Sequence, residues 1–232
     1  MKRLLFTILI ILVLPVLYQS TPTETLKLKV FDYLVPKQDP SGYFSILNIT
    51  EEDIDAEGGW PIPRQRLGEI HKQIIDAGAL GVGWVVSFPH PDRFGGDEFF
   101  AESLRYGTSI LASFEYPNQI YPKTVGTVIK GPDVGGMLSK GVVQNTHNLR
   151  TNYIQEGISA APTDVDNLVR RIPLLLKTPD GYVSSFGTEV LKALTGARTY
   201  IIKTNDNGIQ EISVKGIPPI KTDSLGRKWI SW

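Results

Sequence analysis

A chain of 232 residues with 41% hydrophobic content can bury a sizeable core, and a single domain of α/β type is the economical reading. Its 24 lysines and arginines balance 24 aspartates and glutamates, and no basic stripe interleaves with aromatics, so no nucleic-acid partner is expected. With zero cysteines it has no disulfide framework, no thiolate metal site and no catalytic thiol.

The amino terminus places Lys2 and Arg3 before an apolar run from Leu4 to Tyr18, the layout of a signal peptide or a short membrane anchor. The run is about 15 residues long, short of the roughly 20 that a membrane-spanning helix needs. Tyr18-Gln19-Ser20 offers no small-x-small cleavage site, which favours the anchor. On either reading Lys2 and Arg3 stay cytoplasmic and the bulk of the chain is exported. Residues 1–20 are thus expected to be the anchor or signal, 21–36 a juxtamembrane helix with the stripe Leu26, Val30, Phe31 and Leu34, and 37–232 the exported domain.

The expected nucleus of that domain is a βαβ unit. Ser45–Ile49 is short and apolar, as a buried strand is. Leu67, Ile70, Ile74 and Ala77 recur at helical spacing ahead of Gly78, and 79–86 is again apolar on both faces. A helix from Asp97 to about Tyr106 and a strand Ser109–Phe114 extend it to a mainly parallel sheet flanked by helices. From Glu115 to Ala161 prolines and glycines punctuate short apolar pieces, with Thr124–Ile129 the clearest minor strand. Antiparallel hairpins follow. Leu168–Leu176 turns through Pro179-Asp-Gly181 into Tyr182–Ser184, and Tyr200–Lys203 meets Ile209–Val214 across Asn205-Asp-Asn-Gly208. Between them Ser185 caps a helix whose inner face is Phe186, Val190 and Leu194, and Lys228–Trp232 closes the chain as a strand.

Few residues suggest chemistry. Asp164-Val-Asp166 followed by Arg170-Arg171 reads as a metal site, a substrate clamp, or, most economically, ion pairs at the start of a strand. Glu51–Glu57 lacks the alternating ligands and central glycine of a calcium loop and reads as a solvated first helical turn. His71, His90 and His147 share no ligand spacing, and the helical pattern puts His71 outside. There is no nucleophile elbow, phosphate loop or dinucleotide fingerprint, so no catalytic residue, cofactor or metal is expected. Asn48-Ile-Thr50 matches a glycosylation acceptor but falls in the expected buried strand. Pro61 and Pro63 hold the helix entry extended, which sets Arg64 in the first turn, where the dipole disfavours a cation. Arg64 therefore needs a carboxylate, with Asp164, Asp166 or the local Glu57 as candidates.

Ile46–Phe88, with Gly59-Trp60-Pro61-Ile-Pro63-Arg64 inside it, resembles the CHASE domain of the second type, an extracytoplasmic sensory domain of bacterial receptors. Asp164-Val-Asp-Asn-Leu-Val-Arg-Arg-Ile-Pro-Leu174 and Asp223–Ile230 look like its later motifs, so the resemblance covers roughly 24–232. It implies an extracytoplasmic ligand and an output domain beyond this stretch: a class III nucleotide cyclase, a histidine or serine/threonine kinase, or a diguanylate enzyme. It also implies a homodimer, with the 26–34 stripe either in the contact or packed on its own domain. Trp60, Pro61, Pro63, Arg64, Asp164, Asp166, Arg170 and Arg171 are the signature positions, structural or near the ligand. Thr50 and Val85 stand where the family usually has acids, and Asn167 stands where it has glycine. The reading from another class is a self-contained periplasmic solute-binding or hydrolytic protein.

Overall fold

The computed structural model describes residues 21–36, 39, 41–123, 126–150 and 154–230, and the expected anchor Leu4–Tyr18 lies outside them. Among the described residues no helix is long and apolar enough to cross a membrane. The chain divides into two compact units. Among the described residues the smaller draws on 21–44, 161–171 and 229–230, and the larger on 45–160 and 172–228.

In the smaller unit α1 (Thr21–Leu34) supplies the expected helix. Its faces sort differently from the stripe in the sequence. Leu28 is buried and the Phe31 ring lies 4.3 Å from that of Trp229, whereas Leu26, Val30, Tyr33 and Leu34 face solvent.

The larger unit opens with the first correction. Ser45–Ile49 is not a buried strand but extended chain, exposed along its length, with Ile46 at 87% and Leu47 at 71%. An apolar run of this length specifies no partner by itself. The turn that follows it sets its heading: Thr50 and Asp53 form a reciprocal capping box at the start of α2 (Glu51–Ala56). Asn48 is therefore exposed as well, and the ground for discounting it as an acceptor disappears.

Next comes α3 (Arg64–Asp76), whose chain reverses at Gly78 with φ at +99°. It leads into β1 (Gly81–Trp84), which is shorter than 79–86 and lies at a sheet edge, not buried on both faces. α4 (Asp97–Ser103) precedes β2 (Thr108–Glu115). β1 runs parallel to β2, from Gly81 beside Thr108 to Trp84 beside Leu111. The 115–161 stretch yields β3 (Thr127–Lys130), β4 (Val142–Val143) and β5 (Gln155–Ser159). β5 is a full member of the first sheet, parallel to β2, and its sequence Gln-Glu-Gly-Ile-Ser hides it from any apolar pattern. Its Gly157 is needed because a Cβ there would meet the Phe186 Cα at 2.6 Å.

The expected strand Leu168–Leu176 is divided into β6 (Arg171–Pro173) and β7 (Leu175–Thr178). β7 pairs with β8 (Gly181–Ser184) through the expected turn. Ser185 caps α5 (Phe186–Leu194), accepting from the Thr188 amide at 3.4 Å. The buried face of α5 is polar, made of Thr188, Glu189 and Lys192, while Leu194 is exposed. Lys192 donates to Glu189 at 2.7 Å and Ser184 donates to the same carboxylate, so the group is satisfied internally and tolerates burial. β9 (Tyr200–Asn205) and β10 (Gly208–Val214) form the expected hairpin, with Gly208 at φ +115°. β10 pairs with β11 (Ile220–Lys221), and β9 pairs in parallel with the distant β3, giving the order β11-β10-β9-β3. β12 (Arg227–Trp229) pairs with β6.

Three core clusters result among the described residues of the larger unit, the smallest made of Val142, Ile158, Leu176 and Val183. Ile62, Leu67, Trp84, Phe88, Phe100, Leu104, Leu111, Leu149 and Ile154 fill the space around the first sheet. Tyr182, Tyr200, Ile202, Ile209 and Ile212 with their neighbours fill that of the second.

Candidate functional site

Two buried arginines organise the signature residues, one in each unit. In the larger unit Pro61–Pro63 bring the chain to α3 with Ile62 packed into the core and Trp60 largely exposed. Pro63 has no side chain to cap the helix it precedes. The cap comes from elsewhere: the Arg64 amide donates to the Asp92 carboxylate at 2.9 Å, and so do the amides of Phe94 and Gly96. These donors outweigh burial and hold the Asp92 carboxyl below its ordinary range.

The Arg64 side chain completes the lock. It is buried, pairs with Asp97, donates to the His90 carbonyl and lies 5.3 Å over the Phe88 ring. Asp97 in turn accepts the Asp92 amide at 2.8 Å. Burial pulls the Arg64 guanidinium below its ordinary value. The expected carboxylate partner therefore exists, but it is Asp97, where the sequence pointed to Asp164, Asp166 or Glu57. Glu57 instead pairs with Arg66 at 2.7 Å. Gly96 lets the loop close this tightly, because it lies against the backbone of Arg64 and Gln65.

His71 is the other buried polar group of α3, at 0% exposure, which corrects its expected outward position. Its Nε2 meets the Tyr106 carbonyl at 2.9 Å, and its Nδ1 accepts from the Trp84 indole at 3.2 Å. The cause is Gly68. A Cβ there would meet Ser103 Oγ at 2.7 Å, so α3 and α4 cross closely and the face Arg64–Leu67–Gly68–His71 turns inward. Desolvation keeps the imidazole below its ordinary pKa.

In the smaller unit all three nitrogens of Arg170 point at carboxylates. Nε and Nη2 donate to Asp32 at 2.6 and 2.7 Å, and Nη1 and Nη2 donate to Asp166 at 2.7 and 2.8 Å. Arg170 is 1% exposed, and the facing charges push its pKa upward. The same hydrogen bonds hold the Asp166 carboxyl down at about 2. Arg171 pairs with Asp164 and lies 4.9 Å over the Trp229 ring. Asn167 has φ +63°, a conformation open to asparagine and glycine, which accounts for the exchange of one for the other in this turn. The ion-pair reading of Asp164–Arg171 is thus the observed one.

Sequence reasoning missed Asp32, Asp92 and Asp97, each far from its arginine in sequence. Thr50 caps α2, and Val85 is exposed just past β1. Among the described residues no group of histidines and acids is placed to hold a metal ion. Both guanidinium groups are paired with carboxylates, and these pairs tie together stretches of backbone.

No curated protein and no solved structure matches the chain. The CHASE2 domain profile matches residues 7–232, and the chain belongs to this family of extracytoplasmic sensory domains.

Proposed function

We propose that the chain is the sensor region of a bacterial transmembrane receptor, anchored through Leu4–Tyr18, exposed outside the inner membrane, and controlling a nucleotide cyclase or a kinase. The observation that carries this reading is the Arg170 clamp. It ties α1, the helix that begins at Thr21 directly after the apolar stretch, to the Asp164–Arg171 turn of the family signature. A bidentate guanidinium bridge transmits displacement with little slack, since four directed hydrogen bonds move together. A change at the turn is then felt at α1, the helix next to the proposed anchor.

The test joins the full chain, through its genomic downstream segment, to its own output domain in bacterial membranes. External protease should cleave the sensor in spheroplasts but leave the output domain intact. Arg170→Ala and Asp32→Ala should shift output activity in the same direction without loss of membrane insertion. A stop codon directly after Trp232, or a soluble product beginning near Thr21, would sink the receptor reading.

A further inference from the structure

α1 is occupied on one side and open on the other. Leu28 is buried, Phe31 meets Trp229, and Asp32 is held by Arg170 at 2.6 and 2.7 Å, so this side is taken up by the helix's own unit. The other side carries Leu26, Val30, Tyr33 and Leu34, from 49% exposed at Val30 to 88% at Tyr33. At 3.6 residues per turn these four lie within about 100° of one another and form one continuous apolar stripe. Lys29 borders the stripe on one flank and Lys27 on the other, and both are exposed. Lys27 also reaches back to Glu24 at 3.3 Å.

An apolar stripe that contains a tyrosine and has a lysine on each flank suits a helix lying in a membrane interface. The apolar side chains enter the acyl boundary, the phenol stays at headgroup level, and the lysine stems cover the edges while their amines reach the phosphates. Position along the chain points the same way. The apolar run Leu4–Tyr18 ends just before α1 starts, and the three steps from Tyr18 to Thr21 span at most about 11 Å. With that run seated in lipid, α1 begins beside the headgroup layer. Rising straight from there, it would carry Leu34 about 20 Å into water, whereas lying flat it immerses all four side chains. A second copy is the poorer occupant. Both flanks of the stripe are lysine, so two paired stripes would set like charges along each seam.

We propose that the Leu26–Val30–Tyr33–Leu34 face of α1 lies on the outer surface of the membrane, with Lys27 and Lys29 against anionic lipid headgroups. The inference rests on the anchored-receptor reading and adds a second, lateral contact to the anchor. It gives the two sides of α1 separate tasks. The Arg170 clamp and the Phe31–Trp229 contact hold the helix to the smaller unit, and the stripe holds it to lipid. A surface contact of this kind strengthens with the anionic lipid content, because each lysine near the headgroups adds an electrostatic attraction to the burial of the stripe.

The parent chain has zero cysteines, so a single introduced thiol carries a polarity-sensitive fluorophore without ambiguity. The full chain is labelled at Leu26→Cys, Val30→Cys, Tyr33→Cys or, for comparison in the larger unit, the exposed Asp206→Cys, and is placed in vesicles of phosphatidylethanolamine and phosphatidylglycerol. The three stripe labels should emit to the blue, be quenched by lipids bearing a nitroxide high on the acyl chain, and be shielded from iodide in the water. The label at position 206 should do the reverse. Adding Leu26→Glu and Leu34→Glu to the Val30→Cys chain should return its label to water, and both positions are exposed, so folding is spared. Quenching at position 26 that is absent at 33 would mean that the helix rises from the surface, and would overturn the proposal. Shielding from iodide without quenching by lipid would overturn it in favour of a second copy. A carbonate wash reads the anchor separately. A chain that is retained while its stripe labels stay in water sinks the lipid contact and spares the receptor reading. A chain that washes free sinks the anchor, and its stripe labels are then read with added phosphatidylglycerol vesicles, where failure to quench overturns the lipid contact as well.

Discussion

The two buried arginines solve the same problem in opposite ways. Arg64 has a single carboxylate, a backbone carbonyl and an aromatic face, all drawn from residues 88–97. Arg170 hydrogen-bonds two carboxylates, one only four positions away and one 138 positions away, and has a third, Asp164, at 3.6 Å. Burial therefore dominates at Arg64 and lowers its pKa, whereas hydrogen-bonded anions dominate at Arg170 and raise it. The first centre folds a loop onto the start of α3, and the second fastens a remote helix to a turn. An arginine with one partner is a keystone whose loss strands a buried charge. At Arg170 one of the partners, Asp32, lies near solvent and can be released to water.

The sharpest way to break this comparison is to remove each cation in turn. Arg64→Ala leaves Asp97 buried against the Asp92 amide alone and should cost about 3–5 kcal/mol, the range for breaking a buried pair. Arg64→Lys should recover little, because an ammonium group cannot reach the Asp97 carboxylate and the His90 carbonyl with a planar fork. Arg170→Ala should cost less, about 1.5–3 kcal/mol, since the side chain of Asp32 is already 39% exposed and rehydrates. Urea denaturation of the three variants checks the order. Equal losses at positions 64 and 170 would mean that partner number does not set the cost.

Asp32→Ala sharpens the comparison at smaller amplitude. It removes one of two carboxylates from Arg170 and leaves Asp166 in place, so about 0.5–1.5 kcal/mol is expected. It should also loosen α1, which hydrogen exchange along Thr21–Leu34 reads directly. Unchanged exchange there would assign the hold on α1 to the Phe31–Trp229 contact instead.

What the sequence shows of these centres follows from range. The ion pairs within Asp164–Arg171 are four and seven residues apart, close enough to be read as a local turn. The β9–β10 hairpin and the Ser185 cap are likewise local and were legible. Asp32, Asp92 and Asp97 reach their arginines only through the fold, and no spacing announces them. β3 finds its partner β9 across some seventy residues, for the same reason. His71 turned inward because a glycine one turn earlier lets two helices cross closely, a packing effect invisible to periodicity. The apolarity of Ser45–Ile49 suggests a buried strand, yet the segment is exposed extended chain, because an apolar run carries no information about its partner.

Acid separates the two regions by pH and gives the smallest of the expected effects. In the larger unit His71 is neutral, donating from Nε2 to the Tyr106 carbonyl and accepting the Trp84 indole at Nδ1. Protonation would set two donors against each other at Nδ1. Its folded pKa lies below the unfolded value of 6.5, so below pH 6.5 the unfolded chain binds more protons, and stability declines as pH falls. In the smaller unit Asp166 is held at about 2 against 3.8 unfolded. Its contribution is complete above pH 4 and is lost as the pH falls from about 4 to 2, and Asp32 moves in the same direction. Melting temperature should therefore fall in two steps, the first below pH 6.5 and the second below pH 4. Tryptophan fluorescence follows the first through Trp84, and hydrogen exchange in α1 follows the second. His71→Gln should flatten the first step and spare the second, because an amide keeps a donor and an acceptor but does not titrate. A first step that survives His71→Gln would remove His71 as its source. Loss of the α1 signal already at pH 6 would show that the Arg170 clamp does not hold Asp32 as the geometry requires.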